Sequence, residues 1–344
     1  MSFSWKSLGD NIMPSEEVVI NATDLKKWFP VRMGFFETLF SRRQLFVRAV
    51  DGISFDIKKG EIFGLAGESG SGKTTTGRLL LRLIDPTSGR VEFMGKNVTT
   101  LSETEMKTLR RMMQIIFQDP YESLNPRMTI MDIVAEPLRV QGVGGGEPEI
   151  EEKVKKVLED VELIPAEEFV FRFPHELSGG QRQRVGVARA FVLNPKFMVA
   201  DEPVSMLDVS IRAEILNLIL SLVEKFQVSF LYITHDLALS RHMCDRIAIM
   251  YLGKIMEKGY TDKMILEPLH PYTRALIRAV PDPDPTTKRI EVVIKGEIPS
   301  PVNPPSGCRF HTRCPEFIGD ICRTKEPPLI DLGGQHYVAC HLYK

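Results

Sequence analysis

The sequence predicts an α/β protein in which helices cover a largely parallel sheet, with a small irregular module at its C-terminal end. Three observations carry that expectation. An apolar run, Ile62 to Ala66, leads through a glycine-rich turn into a helix-periodic run from Thr74 to Ile84. Two further apolar runs, Phe197 to Ala200 and Ser229 to Thr234, flank a helical segment Val209 to Phe226, the alternation that builds a parallel sheet. After Gly259 the character changes, because prolines from Pro268 to Pro305 break every long periodicity.

In chain order, strand patterns open at Glu17 to Ile20 and Val47 to Ile57, separated by a basic and aromatic insert, Pro30 to Phe46, that reads as a long hairpin or loop. The phosphate-loop-like turn and its helix follow, and that helix should stop at Asp85-Pro86. A strand at Met113 to Phe117 precedes a mostly helical stretch, Thr129 to Leu193, interrupted by the glycine cluster Gly142 to Gly146. This pattern divides the chain into a main domain, 1–265, with a helical insert at about 119–193, and a proline-rich, cysteine-containing module, 266–344.

Composition narrows the function classes. The 344 residues exceed one ordinary domain, and 44 Lys and Arg against 45 Asp and Glu leave no global charge to attract nucleic acid. No apolar run approaches the roughly 18 to 20 residues that span a bilayer, and Met1 to Asp10 lacks a basic segment followed by an apolar one. The expected compartment is the cytosol, where thiols stay reduced.

The chemistry is concentrated in a few motifs. Gly67-Glu68-Ser69-Gly70-Ser71-Gly72-Lys73-Thr74 fits the phosphate loop and stands where the mechanism needs it, after a strand and before a helix. The glycines let backbone N–H groups curl around phosphate oxygens, Lys73 reaches the β and γ phosphates, and the Thr74 hydroxyl holds magnesium, with Thr75 beside it. The strand Phe197 to Ala200 ends in Asp201 and Glu202. On an extended strand these point to opposite sides, which suits Asp201 for the magnesium shell and Glu202 for the attacking water, as general base. Leu177-Ser178-Gly179-Gly180-Gln181 opens a basic amphipathic helix, again an anion site at a helix N-terminus.

In this order the motifs resemble the ABC ATPases, whose fold is a phosphate-loop ATPase core with a β-subdomain and a helical subdomain. The resemblance implies that Ser178 and the backbone at Gly179 and Gly180 grip the γ phosphate held by a second subunit. It also implies roles for Gln118 at magnesium and water, for Ser205-Met206-Leu207-Asp208 in talk across the dimer, and for His235 at the γ phosphate. Met206 departs from the alanine usual there. Adenine stacks on an aromatic ring near the start of such folds, and of Trp28, Phe29 and Phe46 the spacing to Lys73 favours Phe46.

Phe117-Gln118-Asp119-Pro120-Tyr121-Glu122-Ser123-Leu124-Asn125-Pro126, His270-Pro271-Tyr272-Thr273 and the cysteine tail with Pro327-Pro328 narrow the resemblance to ATPase subunits of oligopeptide and dipeptide importers. Thr74-Thr75-Thr76-Gly77-Arg78 is similar to the F-type subunit of that pair. The resemblance implies a motor at the cytoplasmic face of the membrane that uses ATP and Mg2+. Its partners would be a second homologous ATPase subunit (or a copy of itself in isolation), two permease subunits and, indirectly, an extracellular solute-binding protein. Relatives with the same tail import sugars, nickel or glutathione, and a non-transport ABC ATPase of DNA repair or translation is the alternative from another class. Long coiled coils, tandem cassettes or basic patches expected of that alternative are missing from the sequence.

Cys308, Cys314, Cys322 and Cys340 crowd the last 37 residues, while Cys244 stands apart. Their separations of five, seven and seventeen residues lack the close pairs usual in structural zinc sites, leaving an iron-sulfur cluster, zinc or free thiols open. The family resemblance tips the expectation to a 4Fe-4S cluster. Distance from Lys73 along the chain argues that this tail takes no part in hydrolysis.

Overall fold

A computed structural model describes residues 17–31, 44–119, 123–279 and 296–343. Two antiparallel strands begin the chain, β1 (Val18–Pro30) and β2 (Phe46–Lys58), and are followed by β3 (Ile62–Ala66) and α1 (Lys73–Leu80). Next come β4 (Ser88–Phe93), β5 (Lys96–Asn97), α2 (Glu103–Arg110) and β6 (Met113–Ile116). Three helices follow, α3 (Ile130–Gln141), α4 (Glu147–Asp160) and α5 (Gly179–Phe191). The alternation then resumes with β7 (Phe197–Asp201), α6 (Val209–Phe226), β8 (Ser229–Thr234), α7 (Leu237–Met243), β9 (Arg246–Tyr251) and β10 (Lys254–Tyr260). The chain ends through α8 (Thr261–Leu266), α9 (Pro271–Ala279), α10 (Asp320–Thr324), β11 (Ile330–Asp331) and β12 (Tyr337–Val338).

Two sheets result. The first has the order β2-β1-β4-β5, and the second β11-β12-β10-β9-β3-β8-β7-β6, parallel from β9 to β6. Every residue of β3, β7, β8 and β9 is buried, as a parallel sheet covered on both faces requires. One apolar cluster lies between the two sheets around α1, with Ile20, Phe55, Phe63 and Leu79. Another joins the far face to the α3, α4 and α5 helices through Ile133, Val154 and Val187. Capping sets several helix starts. Ser102 and Glu105 form a reciprocal box at α2, Thr129 accepts from the Asp132 N–H at α3, and Gly142 closes α3 in a left-handed conformation.

Along the first third of the chain the structure departs from the sequence expectation in two places. β1 runs to Pro30 instead of stopping near Ile20, because Asp24 adopts a positive φ of 44° and shifts the register, hiding the two-residue alternation. α1 stops at Leu80, and Arg82 at φ 47° turns the chain before Ile84. The insert's ends pair as a hairpin, Pro30 opposite Phe46 and the Val31 N–H on the Leu45 carbonyl at 2.9 Å, while residues 32–43 lie outside the described residues, as do Pro120, Tyr121 and Glu122 of the importer-like motif.

The tail is also more closely joined to the core than a module on a proline-rich connection would be. β12 extends the main sheet by pairing Val338 with Glu257 and Tyr337 with Lys258 of β10. Phe310 is fully buried among Tyr251, Tyr272 and Met256. Its ring centroid lies 5.3 Å from Tyr251 and 5.1 Å from Tyr272.

Candidate active site

The phosphate loop, residues 67–74, bridges β3 and α1, so its shape follows from the sheet below it. Gly72 sits at φ 106°, and a β-carbon there would lie 2.1 Å from the Ala49 carbonyl of β2. Only glycine permits that approach. The same contact brings the loop beside the start of β2, where Phe46 packs 6.3 Å from the Trp28 ring. Ser69 and Gly70 are exposed at the loop crest, and Thr75 is half-buried on α1.

Lys73 is buried, and its Nζ donates to the carbonyls of Gly67 at 2.8 Å and Glu68 at 3.0 Å. Burial lowers its pKa, opposed by the charges of Glu202, Asp201 and Glu68. The Thr74 hydroxyl donates to Asp201 Oδ1 at 2.9 Å. Asp201 has its pKa raised by burial, against that hydrogen bond and with help from the neighbouring Glu202 charge. Ser71 Oγ is buried without a hydrogen-bond partner. These groups fit a magnesium nucleotide: an unsatisfied hydroxyl inside the loop, an ammonium able to exchange carbonyls for phosphate oxygens, and two hard oxygen donors side by side.

Glu202 is reached differently from the sequence expectation. β7 ends at Asp201, and Glu202 leaves the strand at a positive φ of 47°, its N–H donating to the Ile233 carbonyl at 3.0 Å. The turn, and not strand alternation, separates the two carboxylates. It places Glu202 Oε2 3.3 Å from Gln118 Nε2 and 3.1 Å from His235 Nδ1. A left-handed glutamate is costly for a residue with a side chain, and such strain is characteristic of functional positions. Thr74, Gln118, Asp201 and Met206 line one open cleft of about 620 Å³.

Ser178 caps α5 by accepting from the Gln181 N–H, and the Gln181 side chain returns to the Ser178 N–H, so both bonds are local. Gly180 is buried, and a β-carbon there would press within 2.9 Å of Ile211 Cγ2. Asp208 caps the start of α6 in position but with no side-chain hydrogen bond to the helix.

The four tail cysteines do not form a closed metal site. Among the described residues no group of three or more His, Cys, Asp or Glu side chains is arranged to hold a metal ion, so the expected cluster is not assembled here. Burial pushes the Cys308 thiol up to about 12 and the Cys314 thiol up to about 11, and raises Cys340 as well.

Sequence reasoning gave no role to Glu68, Tyr272 and Arg313, which meet at the loop: the Tyr272 hydroxyl accepts the Glu68 N–H and Arg313 pairs with the Glu68 carboxylate. The available signal was a carboxylate in a phosphate-binding loop, which needs a cation.

The fold and the site together define a phosphate-loop ATPase of the ATP-binding cassette class. The model of the ABC transporter family matches residues 50–205, and that of the oligopeptide/dipeptide transporter C-terminal region matches 256–322. The chain is 48% identical over 332 residues to the oligopeptide transport ATP-binding protein AppF of Bacillus subtilis, covering 96% of this chain and 98% of that one. Among solved structures it is similar to the cassette MJ0796, a dimer in a post-hydrolysis state with ADP and Pi, with 28% identity, TM-score 0.61, and coverage of 70% of this chain and 98% of that one. CbiO1 of Clostridium perfringens, part of the cbiONQ transporter complex, gives 25% identity and the same TM-score of 0.61, over 73% of this chain and 92% of its own. The chain belongs to the ABC transporter ATP-binding family, in its oligopeptide/dipeptide branch.

Proposed function

We propose that the chain is the ATP-hydrolysing motor of an importer for oligopeptides or dipeptides, acting at the cytoplasmic face of the membrane as one half of an ATPase dimer on two permease subunits. One observation carries the dimeric reading. Lys73, Thr74, Asp201, Glu202, Gln118 and His235 gather at one site, whereas Ser178 stands exposed at a helix N-terminus whose bonds are only local. A second subunit's nucleotide would complete that helix end. The heterodimer with a homologous subunit follows from the F-type resemblance, and in isolation the chain would pair with itself.

In this reading the backbone of residues 67–74 and Lys73 hold the phosphates, and Phe46 supports adenine. Bound magnesium would neutralise phosphate charge, with Thr74, Asp201 and Gln118 as the residues around it. Glu202 takes the proton of the attacking water, while Gln118 and His235 fix its carboxylate. ATP contacts made only in the closed dimer favour closure, and their loss on hydrolysis allows reopening. No helix among the described residues is long and apolar enough to cross a membrane; in this reading the permeases supply the path. Reconstituted with its permeases and binding protein, the complex should show ATPase activity stimulated by peptide. A cysteine at Ser123, beside the cleft, should cross-link to a permease cytoplasmic loop in a nucleotide-dependent way. Stimulation by nickel or a sugar in place of peptide would move the proposal to that solute.

The same reading retains a 4Fe-4S cluster on Cys308, Cys314, Cys322 and Cys340, with zinc as the alternative. Two facts support it. All four cysteines fall within one short C-terminal segment, and the backbones of Phe310, Glu316 and Leu342, each two residues beyond a cysteine, hydrogen-bond its sulfur. Such bonds tune thiolate-held clusters. Anaerobically purified protein should be brown with about four irons per chain, and Cys314→Ser should lose the iron. Colourless protein carrying one zinc would replace the cluster with zinc.

A further inference from the structure

The phosphate loop carries its own negative charge at Glu68, beside the position where the phosphates bind. A carboxylate there opposes the anion that the loop exists to hold. In the fold it is met by the C-terminal module. Arg313 Nη1 lies 2.7 Å from Glu68 Oε2 and Nη2 3.2 Å from Oε1, a two-pronged pair linking residues 245 apart in sequence. The guanidinium is 8% exposed and also donates to the Tyr251 hydroxyl at 3.2 Å. From α9, the buried Tyr272 hydroxyl accepts the Glu68 N–H at 2.9 Å. The Glu68 carbonyl in turn accepts from Lys73 Nζ at 3.0 Å and from the Ser71 N–H at 3.2 Å. Glu68 is therefore held through side chain and amide by the C-terminal region, and through its carbonyl it holds the residue that reaches the phosphates.

Other contacts fix the module in the same place. The Pro301 carbonyl accepts the Arg48 N–H at 3.0 Å on β2, and Arg309 pairs with Asp51. Arg309 thus ties the module to β2, and Arg313 ties it to the loop itself.

We propose that Arg313 and Tyr272 are positioning residues for ATP binding: Arg313 neutralises and orients Glu68, and Tyr272 fixes its amide, so that the C-terminal module sets the affinity of the phosphate loop in the same chain. This rests on the nucleotide-site reading and not on any metal at the cysteines. It concerns nucleotide binding, and leaves standing the expectation, drawn from distance along the chain, that the tail takes no part in hydrolysis itself.

The test is calorimetric titration of the full chain with MgADP, which probes the loop without turnover. Arg313→Ala should weaken MgADP binding about tenfold, the scale of one charge-assisted contact. The distinguishing result is rescue. Glu68→Gln in the Arg313→Ala background should recover most of that loss, because the uncompensated charge is gone, whereas a merely structural role for Arg313 predicts no recovery. The loss in Arg313→Ala should also shrink as salt is raised. Lys325→Ala, which removes an exposed cation from the same module, should bind like wild type. Should Arg313→Ala fail to fold, Arg313→Lys and Tyr272→Phe carry the test, with a predicted two- to fivefold loss each, of the order of one neutral hydrogen bond. Arg313→Ala within twofold of wild type, or no rescue by Glu68→Gln, overturns the proposal. Absence of MgADP binding by the wild-type chain would instead overturn the nucleotide-site reading.

Discussion

Glu202→Gln should leave MgATP bound and slow its hydrolysis by roughly 10²- to 10⁴-fold, the range that a positioned general base supplies. That corresponds to about 2.7 to 5.4 kcal/mol of barrier. The geometry makes the substitution clean. Glutamine keeps the side chain's length and can still meet Gln118 and His235, which lie 3.3 and 3.1 Å from the carboxylate, but it cannot accept a proton from water. The backbone turn at φ 47° is unchanged by the swap. With hydrolysis slowed and binding intact, the protein should accumulate as an ATP-bound dimer, visible as a shift in sedimentation or size-exclusion on adding MgATP. Lys73→Ala should behave in the opposite way, losing nucleotide affinity itself, since its ammonium is the buried cation nearest the loop carbonyls. Wild-type turnover in Glu202→Gln would remove the general-base assignment.

The site was legible because its parts are local. A phosphate loop is eight consecutive residues between a strand and a helix, and its conformation is dictated by glycines at 67, 70 and 72 that all adopt positive φ. The α5 helix likewise announces its start through Ser178 and Gln181, four positions within one turn. Strand bounds were less legible where a bulge at Asp24 broke the alternation. What sequence order concealed was the contact between distant parts. Arg313 to Glu68 and Val338 to Glu257 are pairings that only the folded sheet creates, and no periodicity encodes them. The prolines after Gly259 signalled irregular backbone correctly, yet irregular backbone can still be packed tightly when aromatic rings such as Phe310 and Tyr272 anchor it.

The largest stability effect should come from Arg246, which opens β9 and joins the two sheets. Its Nε donates to Glu61 Oε1 at 2.6 Å, and its Nη2 reaches Asp56 Oδ2 at 2.8 Å and the Asp56 carbonyl at 2.9 Å. Glu61, just before β3, is only 1% exposed at its side chain, so Arg246→Met strands a buried carboxylate. Breaking a buried pair by removing one partner costs about 3 to 5 kcal/mol. The pH dependence fixes the mechanism. Burial already raises the Glu61 pKa against the pull of Arg246, while the Asp56 pKa is lowered, burial there being outweighed by the bond and charge of Arg246. Without the arginine, Glu61 binds its proton more tightly folded than unfolded, so stability falls as pH rises through that window. Arg246→Met should therefore lose more, relative to wild type, at pH 8 than at pH 5 in urea unfolding, and Glu61→Gln added to it should recover part of the loss and flatten the difference. A deficit equal at both pH values would mean that the arginine acts through its packing over the Phe63 ring, 5.4 Å away, and not through its charge.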